Sequence, residues 1–148
     1  MPEKLWPPPG FPLVEGNYAL TETWSIRLPE PFARRIEDGS LVLWRQGLTI
    51  WLSVWGNDNN ESQSERLEWI KREASPDRYS EKESISDGLT RYSYRLRDEN
   101  DDGPLEALYG FAISDDGHLQ LSVYFDDVAD EISANQLVGS VFIRDSVD

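Results

Sequence analysis

The segment from Leu48 to Trp55 constrains the fold most, because its residues alternate in a regular pattern along the chain. A period of two is the spacing of a β-strand, whose successive side chains point to opposite faces. One face of this strand is aliphatic and the other carries two tryptophans: Leu48, Ile50, Leu52 and Val54 on the first, and Thr49, Trp51, Ser53 and Trp55 on the second. Since both faces are apolar, we expect both to be covered at least in part.

Further stretches of alternating residues also predict strands, which we expect at residues 20–28, 40–45, 83–97, 105–114 and 118–125. Pro29 and Pro31 are expected to end the first of these, because proline has no N–H for a sheet ladder. Asp115-Asp116-Gly117 predicts a hairpin turn between the last two strands. His118, the single histidine, follows that turn and is expected to face solvent.

Two helices are predicted between and after these strands. Ser62 and Glu65 have the spacing of a capping box, which starts a helix that Pro76 stops. A closing helix over residues 128–138 has Asp127 as its cap and an apolar side formed by Ile132, Leu137 and Val138. The order of elements predicts an α+β domain, a mainly antiparallel twisted sheet of about six strands with a central and a C-terminal helix packed on it.

Residues 1–17 form a proline-rich arm, and residues 18–148 form a single α+β domain. The arm interleaves Pro7, Pro8, Pro9 and Pro12 with Trp6 and Phe11, which favours extended polyproline geometry. We expect the two aromatic side chains to hold the arm against its own domain, because large aromatics are seldom left in water. The alternative is that the arm is a ligand for an aromatic groove in another protein.

Three features of the chain carry a resemblance to a known fold. The opening strand ends in Leu-Pro (Trp24-Ser-Ile-Arg-Leu-Pro29) and is followed by the segments 40–44 and 48–54; a central helix comes next; and residues 124–127 run into a closing helix that ends near residues 140–142. In this order of elements, residues 18–144 resemble the PsbP-like fold, which includes the DcrB-like bacterial domains. The resemblance implies a mostly non-enzymatic role, such as protein binding, assembly or chaperoning of secretion effectors, and the proline-rich arm departs from it.

Charge and composition exclude several functions. The net charge of −14 repels nucleic acid and anionic membranes and attracts basic partners. The lack of cysteine excludes disulfides, thiolate nucleophiles and cysteine-based metal sites. The first residues carry no apolar run of the signal-peptide type, so we expect a cytoplasmic protein. No cofactor is expected.

Two acidic clusters are candidate sites of chemistry. Asp98, Asn100 and Asp102 match the first half of a calcium loop, but Tyr109 stands where the loop needs a bidentate glutamate, so we predict an acidic turn rather than a metal site. Asp126 and Asp127, with Glu131, could form a hydrolase-type carboxylate cluster. The positive end of the closing helix's dipole explains these acids without catalysis, so no catalytic residue is predicted.

The tryptophans Trp51 and Trp55, with Trp44 on a neighbouring strand, are the best candidates for a binding surface. The alternative is that they form the second buried face of the sheet. With Asp126 and Asp127 they predict a non-enzymatic protein-binding domain, of the bacterial immunity-protein or effector-chaperone type, that docks a basic partner. The second hypothesis is a small-molecule or metal-binding protein with a pocket between sheet and arm, and the third is a carboxylate-dependent hydrolase.

Overall fold

The computed structural model describes residues 6–100 and 103–144, without the side chains of residues 98–100, 103 and 104. Over these residues the chain is an α+β fold, in which one antiparallel sheet of nine strands carries two α-helices. The strands are β1 (Leu13–Ala19), β2 (Trp24–Glu37), β3 (Ser40–Arg45), β4 (Leu48–Gly56), β5 (Tyr79–Ser86), β6 (Leu89–Asn100), β7 (Gly103–Ser114), β8 (Gly117–Phe125) and β9 (Phe142–Ile143). The helices are α1 (Gln63–Glu73) and α2 (Glu131–Gly139), and a single 3-10 turn, Val128–Asp130, precedes α2.

The strands follow the order β1-β2-β3-β4-β8-β7-β6-β5, and β9 pairs with the start of β2. The first four strands and the last four long ones are therefore two meanders joined at the pair β4–β8. That pair is in register along its whole length, from Leu48 opposite Phe125 to Gly56 opposite Gly117. The strand that the alternation of residues 48–55 predicts is thus the centre of the sheet.

The sheet has three more strands than the six predicted: one is the short β9, which pairs with the start of β2, and the other two have reasons visible in the chain. β1 begins at Leu13, inside the range assigned to the arm, and pairs with β2. The predicted strand over residues 83–97 is instead two strands, β5 and β6, joined by a turn at Asp87 and Gly88. Both turn residues have positive φ (54° and 78°), as a tight two-residue hairpin turn requires.

The prediction that Pro29 and Pro31 end the first strand was wrong, because β2 continues through both prolines to Glu37. The pairing of β1 with β2 jumps from Gly16 opposite Leu28 to Val14 opposite Phe32. Residues 29–31 of β2 therefore stand against the single Glu15 of β1, so both prolines lie in a bulge of β2, outside the residue pairs of the ladder.

The two faces of the sheet are packed by different elements. On one face, α2 packs over the main core, to which β8 contributes the alternate residues Leu119, Leu121, Val123 and Phe125. On the other face, α1 covers a smaller core with Leu67 and Ile70, over residues of β6 and β7. We call this second face the α1 face; α1 reaches its β6–β8 side, and the outer surface of β3 and β4 lies beyond it.

The two helices differ in how well their sequence predicts them. Ser62 caps α1 as predicted: its hydroxyl accepts from the Glu65 N–H, and the Glu65 carboxylate accepts from the Ser62 N–H. In α2 the buried residues are Ala134 and Leu137, whereas Ile132 is 69% exposed, which contradicts its predicted place on the apolar side. At 100° per residue, Ile132 lies on the opposite side of α2 from Ala134.

Among the described residues, no helix combines the length and apolar character needed to cross a membrane.

Candidate functional site

The three candidate tryptophans share the α1 face but do not form one patch. Trp44 pairs with Thr49 and Trp51 pairs with Val42, while Trp55, at the far end of β4, lies opposite His118 on β8. The six-residue step from Thr49 to Trp55 corresponds to about 20 Å of extended strand. Trp44 and Trp55 therefore belong to two separate surfaces, and the half-buried Trp51 lies between them.

The first surface surrounds Trp55 and is called here the Trp55 surface. Val54 is 50% and Trp55 47% exposed, although both follow the buried part of β4. Beside them is a shallow depression of about 360 Å³, to which the turn between β1 and β2 contributes Glu22 and the turn between β7 and β8 contributes Asp116. Since Val54 and Trp55 point to opposite faces of β4, this end of the strand presents an exposed aliphatic residue on one face and an exposed tryptophan on the other, with Glu22 and Asp116 beside them.

The Trp55 indole is held in place from beneath by two rings. It stacks on the His118 imidazole, with centroids 5.8 Å apart and planes 9° from parallel. Its second contact is an edge-to-face packing on Trp69 of α1 at 6.2 Å. These contacts fix the orientation of the indole while nearly half of the residue stays in solvent.

His118 is 1% exposed, so the prediction that it faces solvent was wrong. The reason is that β8 already begins at Gly117, which places His118 within the sheet rather than in the turn. Gly117 has φ +142°, and a Cβ there would lie 2.0 Å from the Trp55 carbonyl oxygen. This close approach of the two backbones requires glycine and brings His118 beside Trp55.

The buried imidazole has an unexpected partner in Arg66 of α1, whose Nη1 lies 3.2 Å from His118 Nδ1. Because arginine is always protonated and can only donate, His118 Nδ1 accepts and the neutral ring carries its proton on Nε2. Burial, and after it the Arg66 charge, together lower the pKa of His118 to about 4. At neutral pH the ring is therefore an uncharged support for Trp55.

Arg66 is 7% exposed and is held by several acceptors. Its Nη2 donates to the Gly56 carbonyl (2.8 Å) and to Asn57 Oδ1 (3.1 Å), and lies 3.4 Å from the Glu61 carboxylate. Sequence reasoning missed Arg66, because a charged residue in a helix is normally assigned to solvent. The spacing of Arg66 from Ile70 could have indicated that it is buried, because Arg66 lies one turn before this buried residue, on the side of α1 that faces the sheet.

The second surface is a cleft of about 640 Å³ between the proline-rich arm and the sheet, called here the arm cleft. Its aromatic walls are Trp6 from the arm, Trp44 from β3 and Tyr124 from β8. Further lining residues come from the arm, from the start of β7 and from the turns at the near end of the sheet: Pro8, Pro9, Gly47, Leu105 and Asp126. The cleft thus contains two of the candidate residues, Trp44 and Asp126.

Trp44 is also the residue that the arm contacts. The ring of Phe11 packs edge-to-face on it with centroids 5.0 Å apart, so the arm lies against its own domain at this point, as expected. The guanidinium of Arg35 lies over the Trp44 ring, 4.6 Å from its centroid. Tyr124 on the opposite wall is fixed by a hydrogen bond between its hydroxyl and that of Tyr109, 3.1 Å apart.

The acids of the closing segment have separate roles. Asp126 lines the arm cleft, whereas Asp127 accepts from the Ala129 N–H at 2.9 Å and so caps the 3-10 turn rather than α2, which begins only at Glu131. Glu131 forms an ion pair with the buried Arg95. The three carboxylates of the candidate hydrolase cluster therefore lie in three different environments.

The calcium-like segment falls mostly outside the description: Asp102 is not among the described residues, nor are the side chains of Asp98 and Asn100. Over the described part of the chain, no group of three or more histidine, aspartate or glutamate side chains is arranged to hold a metal ion.

Comparison with known proteins adds no family to these observations. The chain matches no protein-family model, and a search of the curated proteins gives no match.

Proposed function

We propose that the protein is a non-enzymatic protein-binding domain that docks a basic partner on the Trp55 surface. The observation that carries this proposal is the state of Trp55, which is 47% exposed yet fixed by stacking on the buried His118. Tryptophan is among the residues most enriched at the energetic centres of protein interfaces. An anchor that is already oriented loses little side-chain entropy on binding, which favours affinity.

The charge of the surroundings supports a basic partner. The turns at the Trp55 end of the sheet carry the exposed acids Glu22 and Asp116, which line the depression beside Trp55. The side chain of Gln63 bridges two neighbouring turns there, donating to the Gly88 carbonyl and to Asp115 Oδ1. These turns bring the further exposed acids Asp87 and Asp115 to the same end.

The basic residues do not offset this acidity, because many of them are engaged in internal ion pairs. Described examples are Arg35 with Glu37, Arg45 with Glu30, Lys71 with Glu83 and Arg78 with Glu81. With a net charge of −14, the surface field attracts a cationic protein and accelerates its association at low salt.

A bacterial immunity protein and an effector chaperone both fit this proposal, since each binds one protein partner without chemistry. The PsbP-like resemblance supports the same reading and stays a prediction from element order. A cytoplasmic location likewise stays a prediction.

Site-specific photocrosslinking tests the proposal. Benzoylphenylalanine in place of Trp55 is expected to give one discrete adduct in the native cell, and the captured protein is expected to be basic. The matched control places the same probe at Ile132, which is also apolar and exposed (69%) but lies on α2. An adduct of equal yield from both positions would contradict a docking site at Trp55.

The captured protein is then purified for binding measurements. We expect Trp55→Ala to weaken the affinity for this protein by at least tenfold. Glu22→Gln together with Asp116→Asn is expected to lower the affinity and to make it less dependent on salt concentration. An affinity that Trp55→Ala changes by less than twofold, or one that does not fall with salt, overturns the proposal.

A further inference from the structure

We infer that the arm cleft is a second binding site, for an organic cation whose ammonium group is carried on an apolar body. The site is independent of the proposed docking surface, because Trp44 and Trp55 lie about six strand residues apart on the sheet, or about 20 Å. Its volume of about 640 Å³ lies within the range of small-molecule pockets, which is about 300–1,000 Å³.

The walls of the cleft suit the apolar body and the positive charge of such a ligand. Trp6, Trp44 and Tyr124 contribute aromatic rings, whose faces carry negative potential. Trp44 already attracts a cation, since the Arg35 guanidinium lies 4.6 Å from the centroid of its ring. Pro8, Pro9 and Leu105 complete an apolar lining.

The charges around the cleft have a negative balance. Arg45, the one cation among the described residues of the lining, is fully engaged: Nε donates to Glu30 at 2.8 Å, Nη2 to Asp130 at 3.0 Å and Nη1 to the Gln46 carbonyl at 2.7 Å. Two carboxylates thus face one guanidinium, and Asp126 adds a third on the lining.

Two of these acids flank the same glycine of the lining, Gly47. The Asp126 N–H donates to the Gly47 carbonyl at 3.2 Å, and Asp130 Oδ2 lies 3.4 Å from the position of a Cβ at Gly47. A cation in the cleft therefore meets aromatic rings and uncompensated negative charge together, whereas an anion meets repulsion.

Choline and its uncharged isostere 3,3-dimethylbutan-1-ol provide the test, because they share shape and hydroxyl and differ in charge. We expect titration calorimetry to show saturable binding of choline and at least tenfold weaker binding of the isostere. Trp6→Leu, which keeps an apolar arm, and Asp126→Asn, which removes one charge without changing shape, are each expected to weaken choline binding by about threefold to tenfold. Asp126→Glu is expected to retain it.

Trp55→Leu is the matched control, since it removes a tryptophan from the other surface and is expected to leave choline binding unchanged. Unfolding curves of every variant verify that a lost signal is not lost folding. Absence of choline binding, equal binding of the isostere, or unchanged affinity in both Trp6→Leu and Asp126→Asn overturns the inference. None of these outcomes affects crosslinking at Trp55, so the two proposals fail separately.

Discussion

Arg66 of α1 donates from Nη1 to Nδ1 of His118 on β8 across 3.2 Å, and both residues are buried. This contact joins helix to sheet directly beneath Trp55, whose indole stacks on the same imidazole. A buried guanidinium beside a buried imidazole excludes a second positive charge, because two like charges in a poorly solvated site repel strongly. The stability of the domain and the orientation of its exposed tryptophan therefore depend on His118 staying neutral.

Acidification should destabilise the protein through His118. Its pKa is about 4 in the folded protein, against 6.5 for the unperturbed group, so the unfolded chain takes up the proton first as the pH falls. The contribution of the neutral ring is complete above pH 6.5 and is lost progressively between 6.5 and 4. We expect the free energy of unfolding, measured with urea, to fall by about 2 kcal/mol from pH 7 to pH 5.

His118→Gln is the control for this pH dependence, because its amide oxygen can accept from Arg66 but does not titrate. In this variant the free energy of unfolding should no longer fall between pH 6.5 and pH 5, and the protein should remain folded. The carboxylates whose pKa lies below the ordinary value, such as Glu65, Glu81 and Glu106, contribute stability above their unfolded pKa near 4.5 and lose it below that pH. If the free energy of unfolding of His118→Gln falls with pH as steeply as that of the wild type, another group is responsible for the pH dependence.

Arg66→Met should destabilise the domain and change the titration of His118 at the same time. The substitution keeps the apolar stem but leaves the Gly56 carbonyl and His118 without their donor, which should cost about 3 kcal/mol in urea unfolding. Because the Arg66 charge is one cause of the low pKa of His118, that pKa should rise in an NMR titration. Arg72→Met, an exposed position on the same helix, is expected to change stability by less than about 0.5 kcal/mol. A destabilised Arg66→Met with an unchanged His118 pKa would contradict the contact.

Local sequence rules predicted much of this fold, because they depend on neighbours along the chain. The bounds of β3 and the start of β4 follow from alternation, and the start of α1 follows from its capping box. The errors arose where pairing with distant residues decides. Pro29 and Pro31 are tolerated because they lie in a bulge of β2 opposite Glu15 of β1, and His118 is buried because Gly117 lets β8 begin at the turn.

The same limit applies to the two surfaces. Alternation placed Trp51 and Trp55 on one face of β4, which the structure bears out in its register. It could not separate Trp44 from Trp55, because that requires knowing which residues of β3 and β8 pair with β4. Nor could it find the partnership of Arg66 with His118, which are 52 residues apart in the chain.

Ser62→Ala should weaken the start of α1. The Ser62 hydroxyl accepts from the Glu65 N–H at 3.1 Å and its own N–H donates to the Glu65 carboxylate at 3.0 Å, so the substitution leaves one helix donor without its acceptor. We expect a loss of about 1 kcal/mol in the free energy of unfolding. Ser64→Ala, inside the first turn and exposed, should be neutral or slightly stabilising because alanine favours the helix. Equal effects at both positions would argue against a specific cap.

Gly110→Ala should destabilise the packing of α2 on β7. A Cβ at Gly110 would lie 2.3 Å from Cγ1 and 2.8 Å from Cγ2 of Val138, so helix or strand must shift, at an expected cost of about 2 kcal/mol. Val138→Ala in the same chain removes both methyl groups and should recover part of that loss, which a double-mutant cycle measures as a favourable coupling. Gly139→Ala, where a Cβ meets nothing within 4 Å, should instead be neutral or stabilising. Additive effects of Gly110→Ala and Val138→Ala would mean that the helix does not lie against this strand, since the clash is the sole reason for the two substitutions to interact.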